Sequence, residues 1–149
     1  MRPTRDEVLM GTAFLWAKRS TCSRLHVGAV VSRNGRILAQ GYNGAPAGLR
    51  HCVHFRVPED KIRPCTTAIH AELNAIAWSA RHGVTVGGAE IHCTDSPCLN
   101  CAMAVVNAGI TRFSYVREYR IHDGVEFLTT AGIEVNYMDE WLEPSIDDQ

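Results

Sequence analysis

The chain has 149 residues, 46% hydrophobic and 21% charged. That is the length of one domain (1–149) with room for a proper core, burying about two-thirds of its unfolded surface. Lys plus Arg number 15 and Asp plus Glu 16, a formal charge of −1, so neither nucleic acid nor an anionic membrane is an expected partner. No apolar run approaches the roughly 18–20 residues of a membrane span. The opening MRPTRDEVLM lacks a signal-peptide pattern, so a cytoplasmic location is expected.

In chain order, Thr4 is an expected N-cap. Asp6 and Glu7 suit the first turn, and Val8, Leu9, Thr12, Leu15 and Trp16 share one helical face. VGAVVS (27–32) reads as a strand, Asn34-Gly35 as a hairpin turn, and RILAQGYNG as the returning strand. Residues 44–69, with Pro46, Gly48, Pro58 and Pro64, read as a loop long enough to be functional or stapled. A helical pattern begins at about Thr66 and runs through Ala68, Ile69, Leu73, Ile76, Ala77 and Ala80 to Gly83. AEIHC (89–93) is a buried strand, 98–108 a helix and RFSYV (112–116) a strand. A short helix at 123–131 and a last strand IEVNYM follow, and the tail 143–149 reads as polar and frayed. Strand-strand-helix followed by strand-helix alternation predicts an α/β fold, with helices on both faces of a mixed sheet of about five strands.

Six cysteines and seven histidines stand out in a chain expected to be cytoplasmic, where metal is favoured over disulfides. His70-Ala71-Glu72 falls near the start of one predicted helix, and Pro97-Cys98-Leu99-Asn100-Cys101 at the next strand-to-helix junction. Two thiolates in C-x-x-C at a helix N-terminus can face one metal, and the helix dipole keeps them ionised. One imidazole makes three ligands, which leaves a zinc ion an open position for water, the catalytic arrangement. Glu72, two residues from a ligand, is the candidate proton carrier. H-x-E with P-C-x-x-C is the signature of zinc nucleobase deaminases.

The longer motifs carry a closer resemblance. S-x-C-S-R-L-x-V-G-A-V-V (20–31), GYNGAPAG (41–48), HAELNAI (70–76) and SPCLNCA (96–102) are similar to deoxycytidylate deaminases. These include phage enzymes and a bacterial competence-associated group within the cytidine deaminase-like superfamily. The resemblance implies a three-layer α/β/α sandwich and hydrolytic deamination of dCMP to dUMP. It places Asn43 near the substrate sugar and Val27 and Gly28 under the pyrimidine, with the backbones of Ala71 and Ser96 against the base. Arg24, Tyr119 and Arg120 are the candidates for the 5′-phosphate, since a guanidinium fork suits phosphate. Relatives also carry a second, structural zinc in regions matching Cys22, Cys52 and Cys65. His54 is the preferred fourth ligand, with His51 and His26 as alternatives. Homohexamers activated by dCTP and inhibited by dTTP, with Mg²⁺ on the triphosphate, are common in the family. Arg81 is then either a favourable charge at a helix end or an effector or subunit contact.

Two other readings compete. One is a deaminase of another substrate, such as cytidine, dCTP, guanine or tRNA adenosine. The other is a non-catalytic zinc module, which has no use for a free carboxylate at Glu72.

Overall fold

In the computed structural model, which describes residues 1–54, 58–63 and 65–141, Thr4 begins helix α1 (Arg5–Ala17) through a capping box. Its hydroxyl accepts from the Glu7 N–H at 3.2 Å, and Glu7 Oε2 accepts from the Thr4 N–H at 2.6 Å. Strands β1 (Gly28–Arg33) and β2 (Arg36–Tyr42) form the predicted hairpin. Its turn residues Asn34 and Gly35 both have positive φ, 51° and 74°, as a two-residue turn of this hand requires. Then come α2 (Ala71–Arg81), β3 (Glu90–Asp95), α3 (Leu99–Asn107), β4 (Arg112–Arg117), α4 (Asp123–Thr130) and β5 (Glu134–Tyr137).

The sheet order is β2-β1-β3-β4-β5. β1 is antiparallel to both neighbours, while β3, β4 and β5 are parallel. Alternation along the strands divides the core. Ala29, Val31, Ile91, Cys93, Phe113 and Tyr115 pack with residues of α2, α3 and α4, and Val30 packs with Leu9, Met10 and Ala13 of α1. The result is the expected α/β/α sandwich, one helix on one face and three on the other. Among the described residues no helix is long and apolar enough to cross a membrane.

Two glycines set how close the helices come. A side chain at Gly28 would strike the Ala13 carbonyl of α1, and one at Gly41 the Ala71 carbonyl of α2. Gly28 therefore faces α1, and its lack of a side chain is explained by helix seating.

The helical pattern expected from about Thr66 begins only at Ala71. Ala68 and Ile69 fit the helical spacing, but the backbone of Ile69 is engaged elsewhere. It exchanges hydrogen bonds with Gly44 at 2.9 and 3.2 Å, closing the ends of the long loop. That loop contains one short 3₁₀ turn, Glu59–Lys61. Pro64 and the tail 143–149 lie outside the described residues.

A polar cluster ties α1 to the sheet. Arg112 binds both carboxylate oxygens of Asp6 at 2.9 Å, Glu90 at 3.1 Å and Glu134 at 3.2 Å. Buried His92 lies with Nε2 3.0 Å from Asp6, and its Nδ1 has no partner. Burial holds His92 below its usual value, so the neutral ring donates from Nε2. The Arg112 guanidinium lowers the Asp6 carboxyl to about 2. A carboxyl lowered in the folded state contributes its full stability above the ordinary aspartate range and loses it as pH falls toward about 2. Asp6→Asn should therefore cost about 1–2 kcal/mol at pH 7. It should also flatten the loss of stability between about pH 4 and pH 2, as read by urea unfolding across that range.

Candidate active site

The start of β1 and the ends of β2, β3 and β4 share one edge of the sheet, because β1 runs antiparallel to β3. Helices α2 and α3 begin there. Their N-caps are His70 (φ −71°, ψ 154°) and Cys98 (φ −72°, ψ 167°), both extended, so each side chain projects from a helix start. His70 Nδ1 lies 3.4 Å from Cys98 Sγ and 3.4 Å from Cys101 Sγ. The three donor atoms fall within 4.8 Å of one another. No disulfide forms between the cysteines. The Cys101 thiol, His70 and the Cys101 backbone N–H hold the Cys98 thiol down to about 4, against the opposing effect of burial. Hydrogen bonding to Cys98, with burial, pushes Cys101 up. Two sulfur atoms and one imidazole nitrogen thus converge, a donor set that fits a zinc ion with one position open.

Glu72 sits in the first turn of α2 at 4% exposure. Burial pushes its carboxyl up to about 7, partly offset by its own backbone N–H, by His70 and by Cys101. A buried carboxyl beside three convergent donor atoms, its pKa raised by burial, is an arrangement suited to carrying protons.

The segment before β1 closes the same edge. Asn43, 9% exposed, accepts from the Val27 N–H at 2.8 Å and donates to the Leu25 carbonyl at 2.7 Å. The amide therefore clamps this segment. Its second N–H and second lone pair are what remain for a sugar hydroxyl. Val27 packs against the α2 face of the core, and Ala71 is fully buried. The Ser96 N–H donates to the Arg117 carbonyl at 2.8 Å, and its hydroxyl accepts from the Tyr119 N–H at 2.6 Å. A base contact from Ser96 thus falls to its carbonyl. Arg24 is exposed and donates to the Arg63 carbonyl at 3.0 Å. Tyr119 is half-buried, and Arg120 and Arg81 are exposed.

A second cluster lies along the long loop. Cys22, Cys52 and His54 bring their donor atoms within 4.8 Å of one another. Burial, followed by the neighbouring Cys65 and Cys22 thiols, pushes Cys52 up. Cys65 is lowered overall. Burial opposes the shift, and the Ala68 and Thr67 N–H groups outweigh it. His54 Nε2 is buried without a partner. Of the three candidate histidines, the structure brings His54 to the cysteines, while His51 and His26 are exposed. Cys93 is a core residue of β3, as expected.

Residues 3–117 match the family model described as the cytidine and deoxycytidylate deaminase zinc-binding region. The chain belongs to this family. ComE operon protein 2 of Bacillus subtilis is 38% identical over 137 residues, 90% of this chain and 71% of that protein. The deoxycytidylate deaminase of Saccharomyces cerevisiae is 35% identical over 98% of this chain, which spans about half (48%) of the yeast protein. Among solved structures, the dCMP deaminase of cyanophage S-TIM5, crystallised with dCMP and dUMP, superposes with a TM-score of 0.83. It is 40% identical and covers 93% of this chain and 99% of its own. The fold and enzyme class are those the sequence predicts for a member of this deaminase family.

Sequence reasoning missed Arg117, Asp95 and Thr94. They form a hydrogen-bonded group at the same edge, with Arg117 Nη2 2.7 Å from Asp95 Oδ1 and Thr94 Oγ1 donating to Asp95 at 2.6 Å. The signal available was the parallel alternation that sets Asp95 opposite Arg117. The predicted strands stopped one or two residues short of both.

Removing one donor of the convergent set leaves two. Cys101→Ser should purify with about one zinc equivalent fewer per chain than the parent, measured by atomic emission, with its far-ultraviolet dichroism retained.

Proposed function

We propose that the chain hydrolyses dCMP to dUMP and ammonia in the cytoplasm, with His70, Cys98 and Cys101 holding a zinc ion and Glu72 carrying the protons. The observation that supports this best is the buried Glu72 carboxyl beside the three convergent donors. A purely structural metal set does not need it. When bound, zinc acts as a Lewis acid that brings the pKa of a coordinated water toward neutrality. Glu72 takes up the two protons of the attacking water in turn, passing the first to the ring nitrogen and the second to the departing amine, so that the C4 oxygen ends as the carbonyl of dUMP. An oxygen–carbon bond forms at C4, the bond from C4 to the exocyclic nitrogen breaks, and ammonia leaves. Val27 and Ala71 line the ring, the Ser96 carbonyl accepts from the exocyclic amine, and the remaining N–H of Asn43 reaches the sugar. Arg24, Tyr119 and Arg120 hold the 5′-phosphate. Gly28 contributes by letting β1 seat on α1.

Glu72→Gln should keep its zinc and fold but lose on the order of 10²–10⁴-fold or more in kcat. The parent should prefer dCMP over deoxycytidine sharply in kcat/KM, because the phosphate adds charge-assisted bonds. Ammonia release from dCMP, dCTP, deoxycytidine, cytidine and guanine measures both. Near-parental turnover by the glutamine variant rejects the role of Glu72, and equal rates on dCMP and deoxycytidine reject the nucleotide assignment.

Cys22, Cys52, Cys65 and His54 belong to the same reading as a closed second zinc site, supported by the unpartnered His54 Nε2. The unchelated protein should carry about two zinc ions per chain and Cys52→Ser about one, with faster proteolysis in the loop 44–69. One zinc in the parent, with all three thiols freely titrating, rejects the second site. Homohexamer assembly and regulation by dCTP and dTTP with Mg²⁺ complete the reading.

A further inference from the structure

Residues 18–27 join α1 to β1 through turns and bends alone. They carry Arg24 and lead into Val27, so their position shapes the proposed substrate pocket. A segment without regular structure pays ordering entropy at every residue and is held by whatever its carbonyls and amides can find. On the β2 side it finds Ser20 and Asn43. Ser20 Oγ donates to the Asn43 carbonyl at 2.8 Å, and the Asn43 amide binds Leu25 and Val27.

A further tether comes from the other side of the sheet. Arg117, the last residue of β4, donates from Nη2 to the His26 carbonyl at 2.7 Å. The same guanidinium is fixed on Asp95 Oδ1 through Nη2 at 2.7 Å and Nε at 3.2 Å. Its Cζ lies 5.4 Å from the centre of the Phe14 ring on α1. The Asp95 side chain is only 10% exposed and also accepts from Thr94, whose hydroxyl accepts from the Gly28 N–H at 3.3 Å. The Arg117 carbonyl accepts from Ser96, two residues before Cys98. One residue therefore joins the entry to β1, the turn that carries the metal donors and the end of β4.

We propose that Arg117 is a positioning residue for the substrate. Through His26 it holds the segment bearing Arg24 and Val27 against the turn bearing Cys98, so that the nucleotide meets a wall already formed. The inference rests on the reading that residues 24–27 face the nucleotide. The guanidinium is turned toward Phe14 on the α1 side and acts through the backbone of the segment. If the segment is competent only part of the time, apparent affinity falls by that fraction, and the ordering cost moves to the binding step. Glu72, His70, Cys98 and Cys101 keep their places, so the chemical step is spared. A merely structural role predicts a different pattern: a lower Tm with KM unchanged in the folded protein.

The test compares Arg117→Ala, Arg117→Lys and the parent at fixed zinc content. Arg117→Ala is expected to raise KM for dCMP about 5–20-fold with kcat within about twofold, and to raise KM for deoxycytidine less. It should also speed exchange of the Val27 amide at least about tenfold in ligand-free protein. Lysine can pair with Asp95 but has no fork to span to His26, so Arg117→Lys should fall between. An unchanged KM in Arg117→Ala, or a kcat that falls as far as kcat/KM, overturns the proposal. Should the alanine variant not fold, the lysine variant decides by the same KM criterion. A parent inert toward dCMP sinks the substrate assignment alone. Val27 exchange then decides the tether: faster exchange supports it and unchanged exchange overturns it.

Discussion

Two helices that begin side by side at one edge of a sheet determine most of what this protein can do. A helix start offers free N–H groups and the positive end of a dipole, and here two such starts converge. His70 and Cys98 are the N-caps themselves, neither making a side-chain capping bond. Both positions give up capping stability, worth about 1 kcal/mol each for a Ser, Thr, Asp or Asn cap, to present a metal donor. The Cys101 N–H then helps keep Cys98 ionised. Glu72, one residue inside α2, is carried into the buried space between the helices because α2 sits directly on Gly41.

The long loop between β2 and α2 follows from the same geometry. The strand ends at the active edge and the next helix starts there, so a connection of minimal length would suffice. The loop instead leaves and returns, closed at its base by the Gly44–Ile69 pair. Its described residues hold little regular structure, so ordering it needs another source of energy. The convergence of Cys52 and His54 on Cys22 brings this loop against the segment before β1.

The sequence revealed those features that depend on neighbours along the chain. Thr4 with Asp6 and Glu7 announces a helix start, Asn34-Gly35 a hairpin turn, and the two Cys/His motifs lie at junctions that local pattern can find. The helix start was misread because Ala68 and Ile69 carry helical spacing, while a backbone pairing with distant Gly44 decides their conformation. The Asn43 amide also clamps Leu25 and Val27, a use that a turn motif does not disclose. Arg112 with Asp6, and Arg117 with Asp95 and His26, join positions far apart in the chain. Such ion pairs leave no periodic trace. The register of the parallel strands sets Asp95 beside Arg117, and the packing of α1 and the segment before β1 brings Asp6 and His26 to the two arginines.

That register also explains why there are two of them. β3 and β4 run parallel, with Glu90 opposite Arg112 at one end and Asp95 opposite Arg117 at the other. Each arginine pairs with the carboxylate of the neighbouring strand and then reaches beyond the sheet toward α1. Arg112 takes Asp6 at the start of the helix. Arg117 lies over Phe14 near its end and holds His26 at the far end of the segment that follows it. Helix α1 is the only helix on its face of the sheet among the described residues, so it lacks the helix neighbours that α2, α3 and α4 give one another. Pinning it at both ends to the same strand pair fixes its tilt as well as its position. A fixed α1 fixes where the chain leaves it, and therefore where residues 18–27 begin. The polar pairs at the two ends of β3 and β4 thus help set where residues 18–27 reach the end of the sheet at which His70, Cys98 and Cys101 converge.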